Sequence, residues 1–245
     1  MAHRVLSIDL AMESRRIGIC VLEGTRRRSK LILLSPEDLK LPSRPDALQL
    51  ALAILDYCSR HGVKVVLLDG PQAWKDPRSE LPHSRRCERE LSTQVKTGTA
   101  GNVKPAPALR FVQFCIDVFR HLVAGGANLV QNSPISVLGP LLAVETFPTS
   151  AWRCLGQQPL PSHHKATDED IERRVRALRE KFHVAITQKP NHDQIQAAVA
   201  GLAGLSIMEG DGYGYCLSGS PPISEGGSLC EGFIVNPRLT KFDRP

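Results

Sequence analysis

Three short apolar runs in this chain end on an acid, and no other feature constrains the fold as tightly. They are Arg4-Val-Leu-Ser-Ile-Asp9-Leu-Ala11, Lys64-Val-Val-Leu-Leu-Asp69-Gly-Pro71 and Leu141-Leu-Ala-Val-Glu145-Thr-Phe-Pro148. Short apolar runs bounded by turn signals read as buried strands. A buried strand tolerates a lone carboxylate only where something pairs with it or uses it. The strand ends are therefore expected to gather around Asp9 and build a metal site there.

The segments between these runs supply the rest of an α/β fold. Val5 to Ile8, Ile17 to Leu22 and Lys30 to Leu34 are joined by short polar turns, which predicts an antiparallel meander. Arg26-Arg27-Arg28 falls at a hairpin tip and reads as a solvated turn. Pro45 to His61 carries Leu48, Leu52, Leu55 and Cys58 at helical spacing, with Ala51 and Ile54 beside them. Asp46 in its first turn and Gly62 past its end are helix boundary signals. A strand follows at Val63 to Leu68, which predicts a strand–helix–strand unit with a parallel return.

Residues 72–106 are irregular and polar, with a short helical piece around Ser84 to Leu91. A span of that length inside a domain is usually functional or disordered. Because it follows Asp69, it should overhang the same end of the sheet. Its Lys75, Arg78, Arg85, Arg86, Arg89, Lys96 and Lys104 suggest a basic surface facing a substrate. Beyond it come an amphipathic helix at Pro107 to Ala124, a strand at Leu138 to Val144 and a short helix opening at Pro148. A charged helix follows at Thr167 to Phe182, with Asp168, Glu169 and Asp170 favoured by the dipole of its first turn. His192 to Met208 is a small-residue helix suited to lying close on a sheet, with Asp193 in its first turn. Gly- and Pro-rich loops then lead to a terminal strand at Glu231 to Pro237. Neither a repeat nor a dividing linker interrupts the chain, so one domain is expected.

The net charge of +6 over 245 residues favours a polyanionic partner such as nucleic acid. Aromatic residues are only 5% of the chain, which argues against a base-stacking platform as the main device. Seven scattered cysteines without a CxxC pair point to reduced thiols. The chain shows neither a signal region nor a membrane-length apolar run, and the expectation is a cytoplasmic protein without a membrane partner.

Four carboxylates share a position at the sheet end: Asp9, Asp69, Glu145 and Asp193. Ligands of open α/β sheets sit outside the carboxyl ends of parallel strands. Like charges held together repel unless a cation lies between them, and hard oxygen donors select Mg²⁺ or Mn²⁺. Each acid also has a structural explanation. Asp9 could accept backbone hydrogen bonds, Asp69-Gly-Pro could be turn chemistry, Asp193 could begin a helix and Glu145 could pair with an arginine.

The order of elements resembles the ribonuclease-H-like fold, and in particular a family of predicted RNase H-like nucleases. The segments that carry the resemblance are Ser7-Ile-Asp9-Leu-Ala11, Leu68-Asp69-Gly-Pro71, Arg86-Cys-Glu88-Arg89, Val144-Glu145-Thr-Phe-Pro148, His192-Asp193-Gln-Ile-Gln-Ala-Ala198 and Glu231-Gly-Phe-Ile-Val. The resemblance implies a mixed five-stranded sheet flanked by helices, with strand two antiparallel to the rest. An insertion would occupy about 72–135 and a C-terminal extension about 210–245. It implies Asp9, Asp69 and Asp193 as ligands of Mg²⁺ or Mn²⁺, with Glu145 as a fourth catalytic acid or a neighbour. Arg86 and Lys165 would be basic residues near the substrate. Gln196 stands where related nucleases often carry a second acid on the last helix. The function implied is metal-dependent hydrolysis of DNA or RNA. The alternative is a catalytically inactive binding protein of the same fold. An actin-like phosphotransferase is disfavoured, because the turn from Leu10 to Arg16 lacks a glycine for phosphate approach.

Overall fold

The computed structural model describes residues 2–225 and 228–240. Strands β1 (His3–Asp9), β2 (Gly18–Thr25) and β3 (Arg28–Leu34) form the expected antiparallel meander. Helix α1 (Ala47–His61) returns the chain to β4 (Val65–Asp69), parallel to β1. A long loop follows, carrying α2 (Arg86–Glu90) and a small hairpin of β5 (Lys96–Thr97) and β6 (Val103–Lys104). Next come α3 (Leu109–Ala124), β7 (Ala127–Leu129), β8 (Leu141–Thr146) and α4 (Pro148–Cys154). The chain continues through α5 (Asp168–Glu180), β9 (Val184–Ile186) and α6 (His192–Met208) to a hairpin of β10 (Tyr215–Glu225) and β11 (Ser228–Pro237).

The sheet order is β10-β11-β8-β4-β1-β2-β3-β9, with β7 paired to β8. Within it, β3-β2-β1-β4-β8 has β2 alone running against its neighbours. That is the ribonuclease-H-like arrangement. The expected five strands are the middle of a sheet of nine. β9 extends one edge beside β3, and the β10–β11 hairpin extends the other beyond β8.

Strand alternation sends the two faces of the sheet into two cores. Val5, Leu67 and Val144 pack on the side of α4, α5 and α6, and Leu6, Ile8, Val66, Leu68 and Ala143 on the side of α1 and α3. From Ala197 to Ile207 helix α6 is buried on every side, as the core part of a helix lying on a sheet should be. A side chain at Gly201 would meet Leu22 and Ser7, and one at Gly204 would meet Val5 and Leu67. The small residues thus let α6 lie directly on the sheet.

Two expectations are corrected. Helix α1 forms as predicted, but it buries Leu50, Ala51, Ile54, Tyr57 and Cys58 and leaves Leu48 and Leu52 in solvent. The arginine turn is not fully solvated. Arg26 is buried, with its guanidinium over the Phe182 ring at 5.5 Å and its N–H donating to Glu209. Among the described residues no helix is long and apolar enough to cross a membrane.

Candidate metal centre

Asp9 and Asp69 are the last residues of β1 and β4 and are register partners across that parallel pair. Both are half-buried by surface area, yet they sit deep enough among protein atoms for burial to govern their chemistry. Their carboxyls interact directly, each shifting the other's pKa. Burial, then the charges of Asp69 and Asp193, hold Asp9 well above the ordinary carboxylate range, and Arg16 opposes them. Asp69 is pushed up to about 7, chiefly by burial. Two carboxylates this close keep a proton between them unless a cation replaces it.

Asp193 reaches the pair from helix α6. Asn191 caps that helix by accepting the Gln194 N–H at 2.8 Å, and the Gln194 amide donates to the Leu34 carbonyl at 3.2 Å. Those bonds pin the start of α6 over the meander, with Asp193 in the first turn, where the helix dipole favours an anion. Gly18, the register partner of Asp9, makes the approach possible. A Cβ there would collide with the Asp193 backbone. His192 Nδ1 contacts Asp193 Oδ1 at 2.8 Å and its Nε2 contacts the Pro161 carbonyl at 2.9 Å. Both partners accept only, so the imidazolium, with two N–H donors, suits the site best. Burial pulls the His192 pKa down, but the bonds to Asp193 and Pro161 outweigh it and raise it.

Glu145 stands beside the acids as a neighbour already engaged. Arg85 donates to its two oxygens at 2.7 and 2.6 Å, and the Gln72 N–H adds a third bond at 2.9 Å. Arg85 Nε donates to Glu88 at 3.0 Å, and Glu88 also accepts the Arg85 and Thr97 N–H groups. One buried arginine therefore serves two buried carboxylates, and the group keeps a net negative charge next to Asp69. Gln196, in the place of a possible second helix acid, has its Oε1 occupied by the Trp152 indole N–H at 2.8 Å. Cys115, under Asp69 and Asp9, is held well above its ordinary pKa, chiefly by burial, and so is a neutral packing group.

The basic residues are distributed differently from the sequence expectation. The arginine that faces the site is Arg85; Arg86 turns outward to pair with Glu90 at 2.9 Å. Lys165 lies exposed on the loop after Pro161, whose carbonyl contacts His192. Within the segment after Asp69, Lys75 donates to the Asp76 and Ser79 carbonyls, Arg78 pairs with Asp76 and Glu225, and Lys96 donates to the Glu88 carbonyl. These three cations fasten the segment to itself and to the β10–β11 hairpin and are not free to face a substrate, whereas Arg89 and Lys104 stay exposed. Arg85, expected on a substrate-facing basic surface, is instead the buried partner of Glu145 and Glu88, and Gln72 and Arg16 carried no expectation. Only Arg16 had a usable signal, its place two residues before the strand that pairs with β1.

Among the described residues no three His, Cys, Asp or Glu side chains already stand close enough to hold a metal ion. Asp193 has its Oδ1 engaged by His192 while its charge acts on Asp9. An all-oxygen donor set with unbalanced negative charge fits a hard divalent cation.

No protein-family model matches the chain, and no curated protein does. Among solved structures it is similar to Thermus thermophilus RuvC, at 11% identity and a TM-score of 0.42, over 85% of this chain and 97% of that one. It is similar at the same coverage to T. thermophilus RuvC in complex with a Holliday junction substrate, at 10% identity and a TM-score of 0.41.

Proposed function

We propose that this single-domain protein is a divalent-metal-dependent nuclease that hydrolyses phosphodiester bonds in DNA or RNA. The observation that carries the reading is the Asp9–Asp69 pair: two register-matched carboxyls that act on each other, with burial forcing their pKa values up. Such a pair is destabilising on its own and becomes favourable once a cation sits on it. Asp9 and Asp69 would hold Mg²⁺ or Mn²⁺, and Asp193 would complete the ligand set by turning from His192. A bound divalent ion there supplies an activated water and stabilises the leaving oxygen.

The remaining residues position these three. His192 orients Asp193 and ties it to the Pro161 loop. Glu145 is a positioning residue, since it fixes Arg85 and the Gln72 backbone behind Asp69. Lys165 and Arg16 are both exposed, Arg16 close enough to act on the Asp9 charge, and they are the cations we assign to a substrate phosphate. Arg86 contributes only at the outer surface of the inserted segment.

A second reading is a nucleic-acid-binding protein without catalysis. It is favoured by one observation: Glu145 and Gln196 are both spent on internal partners, which leaves three acids for metal. The experiment offers labelled single strands, duplexes, RNA–DNA hybrids and four-way junctions with Mg²⁺, Mn²⁺ or EDTA. Cleavage that needs metal and is lost in Asp9→Asn supports the nuclease. Binding of the same molecules without cleavage supports the second reading.

A further inference from the structure

Five of the seven cysteines are buried in the fold. Burial is the chief cause that holds the thiols of Cys20, Cys58, Cys87, Cys115 and Cys230 above their ordinary pKa, so these five are inert packing groups. Cys154 and Cys216 differ from them. Both are half-buried, and they stand 62 positions apart in the chain. Cys154 ends α4 and Cys216 is the second residue of β10, yet their sulfurs lie 4.0 Å from each other.

The neighbours of the pair hold both sulfurs in place. Asn236 of β11 is the register partner of Cys216 and is fully buried. Its side-chain oxygen accepts the Ser150 hydroxyl of α4 at 2.8 Å, and its carbonyl oxygen lies 3.7 Å from the Cys216 sulfur. Trp152, two residues before Cys154, is fully buried and donates to Gln196 of α6. A disulfide needs its sulfurs at about 2.05 Å, so closure asks each to move by about 1 Å, a shift that side-chain rotation supplies. The two thiols are also unequal. The hydrogen bond with Cys216 lowers the Cys154 pKa to about 7 against the opposing effect of burial. The same bond, then burial, raises that of Cys216. Cys154 is therefore the thiolate, which is the reactive form, and Cys216 keeps its proton.

We propose that Cys154 and Cys216 are a modification site for hydroperoxides, closing to a reversible disulfide that ties α4 to β10. The Cys154 thiolate attacks one peroxide oxygen. The O–O bond breaks, the sulfur is oxidised to a sulfenic acid, and the departing hydroxide takes up the proton that Cys154 had released. Cys216 then attacks the Cys154 sulfur. The S–S bond forms, the S–O bond breaks, and the second hydroxide leaves as water with the Cys216 proton. Two thiols and one hydrogen peroxide thus give one disulfide and two waters. The bond encloses α5, β9 and α6, the helix that carries Asp193, within a covalent loop. A cross-link of that span stabilises the fold by restricting the unfolded chain. None of this depends on the nuclease reading.

The test uses the fully reduced chain and an equimolar amount of hydrogen peroxide. Free thiols, counted with Ellman's reagent after denaturation, should fall from seven to five. Peptide mapping without reductant should find Cys154 joined to Cys216, and dithiothreitol should restore all seven thiols. Two variants separate the roles. Cys154→Ser should lose the fast reaction with peroxide. Cys216→Ser should keep it and stop at the sulfenic acid, which dimedone captures at Cys154. The oxidised wild-type protein should unfold at a temperature higher by at least about 4 °C, and dithiothreitol should remove that shift. Oxidation spread over the buried cysteines, or an oxidised protein without the Cys154–Cys216 link, overturns the proposal. Dimedone capture at Cys216 in Cys154→Ser, at the wild-type rate, overturns the order of attack. A link that leaves the unfolding temperature unchanged overturns the stabilising role.

Discussion

Gly18 and Asp193 touch backbone to backbone: the space a Gly18 side chain would fill is occupied by the Asp193 carbonyl group. Gly18 is also the register partner of Asp9, so one missing Cβ lets helix α6 bring its acid to the end of β1. Gly18→Ala should force the two elements apart. Overpacking of this kind costs about 1–3 kcal/mol. The sharper consequence is for metal, because Asp193 recedes from Asp9. Mn²⁺ titration by calorimetry should show at least about tenfold weaker binding, in the range seen when a ligand loses its support. Unchanged affinity would mean that Asp193 is not a ligand.

Arg85 is the ion-pair partner of two buried glutamates, and removing it should be among the most damaging single changes in the chain. Arg85→Met leaves Glu88 and Glu145 facing each other without compensation. Loss of one partner from a buried ion pair costs about 3–5 kcal/mol. Urea unfolding should register that loss. Arg86→Met, one residue on, breaks only an exposed pair with Glu90, and exposed pairs contribute about 0–1 kcal/mol. Equal effects of the two substitutions would contradict the inward assignment of Arg85.

That adjacent pair also shows where sequence reasoning stops. The meander, the strand–helix–strand return and the placement of Asp9 and Asp69 were legible because apolar runs and turn residues report local geometry directly. Which of Arg85 and Arg86 faces inward was not, because a five-residue helix after an irregular loop has no periodicity to set its phase. The same uncertainty of phase misplaced Leu48 and Leu52 on α1. Strand β10 reads as loop because it contains Pro221 and Pro222. It tolerates them as an edge strand whose register shifts between Ser220 and Ile223. β7 and β9 have three residues each, too few for any alternation to show. The partners of Glu145 and Gln196 come from far along the chain, and local pattern does not encode them.

Gln196 should matter to stability rather than to metal. Its oxygen accepts the Trp152 indole N–H, and Trp152 is fully buried. Gln196→Leu leaves that N–H unpaired, a loss of about 1–3 kcal/mol. Thermal unfolding should shift down, while Mn²⁺ affinity of the folded protein stays within about twofold, a difference of only ~0.4 kcal/mol. A large fall in affinity with little change in stability would reverse the assignment and make Gln196 a ligand.

The acid pair makes stability depend on pH in a direction opposite to that of most carboxylates. Asp69 is raised from an ordinary value of 3.8 to about 7, and Asp9 is raised with it. The folded protein therefore binds these protons more tightly than the unfolded chain does. Stability falls wherever the folded state holds the extra protons. In EDTA the contribution of Asp69 is most favourable below about 3.8, declines as pH rises, and levels off above about 7, and Asp9, raised in the same direction, adds to the decline. A divalent cation replaces the shared proton, so Mn²⁺ should flatten the decline and raise stability most at the upper end of that window. Urea midpoints measured across it, with EDTA and with Mn²⁺, should diverge as pH increases. Asp69→Asn removes one of the two titrating groups, so its EDTA curve should lose the Asp69 part of the slope and its Mn²⁺ curve should lie close to it. Parallel wild-type curves at all pH values would show that the cation does not bind at Asp9 and Asp69.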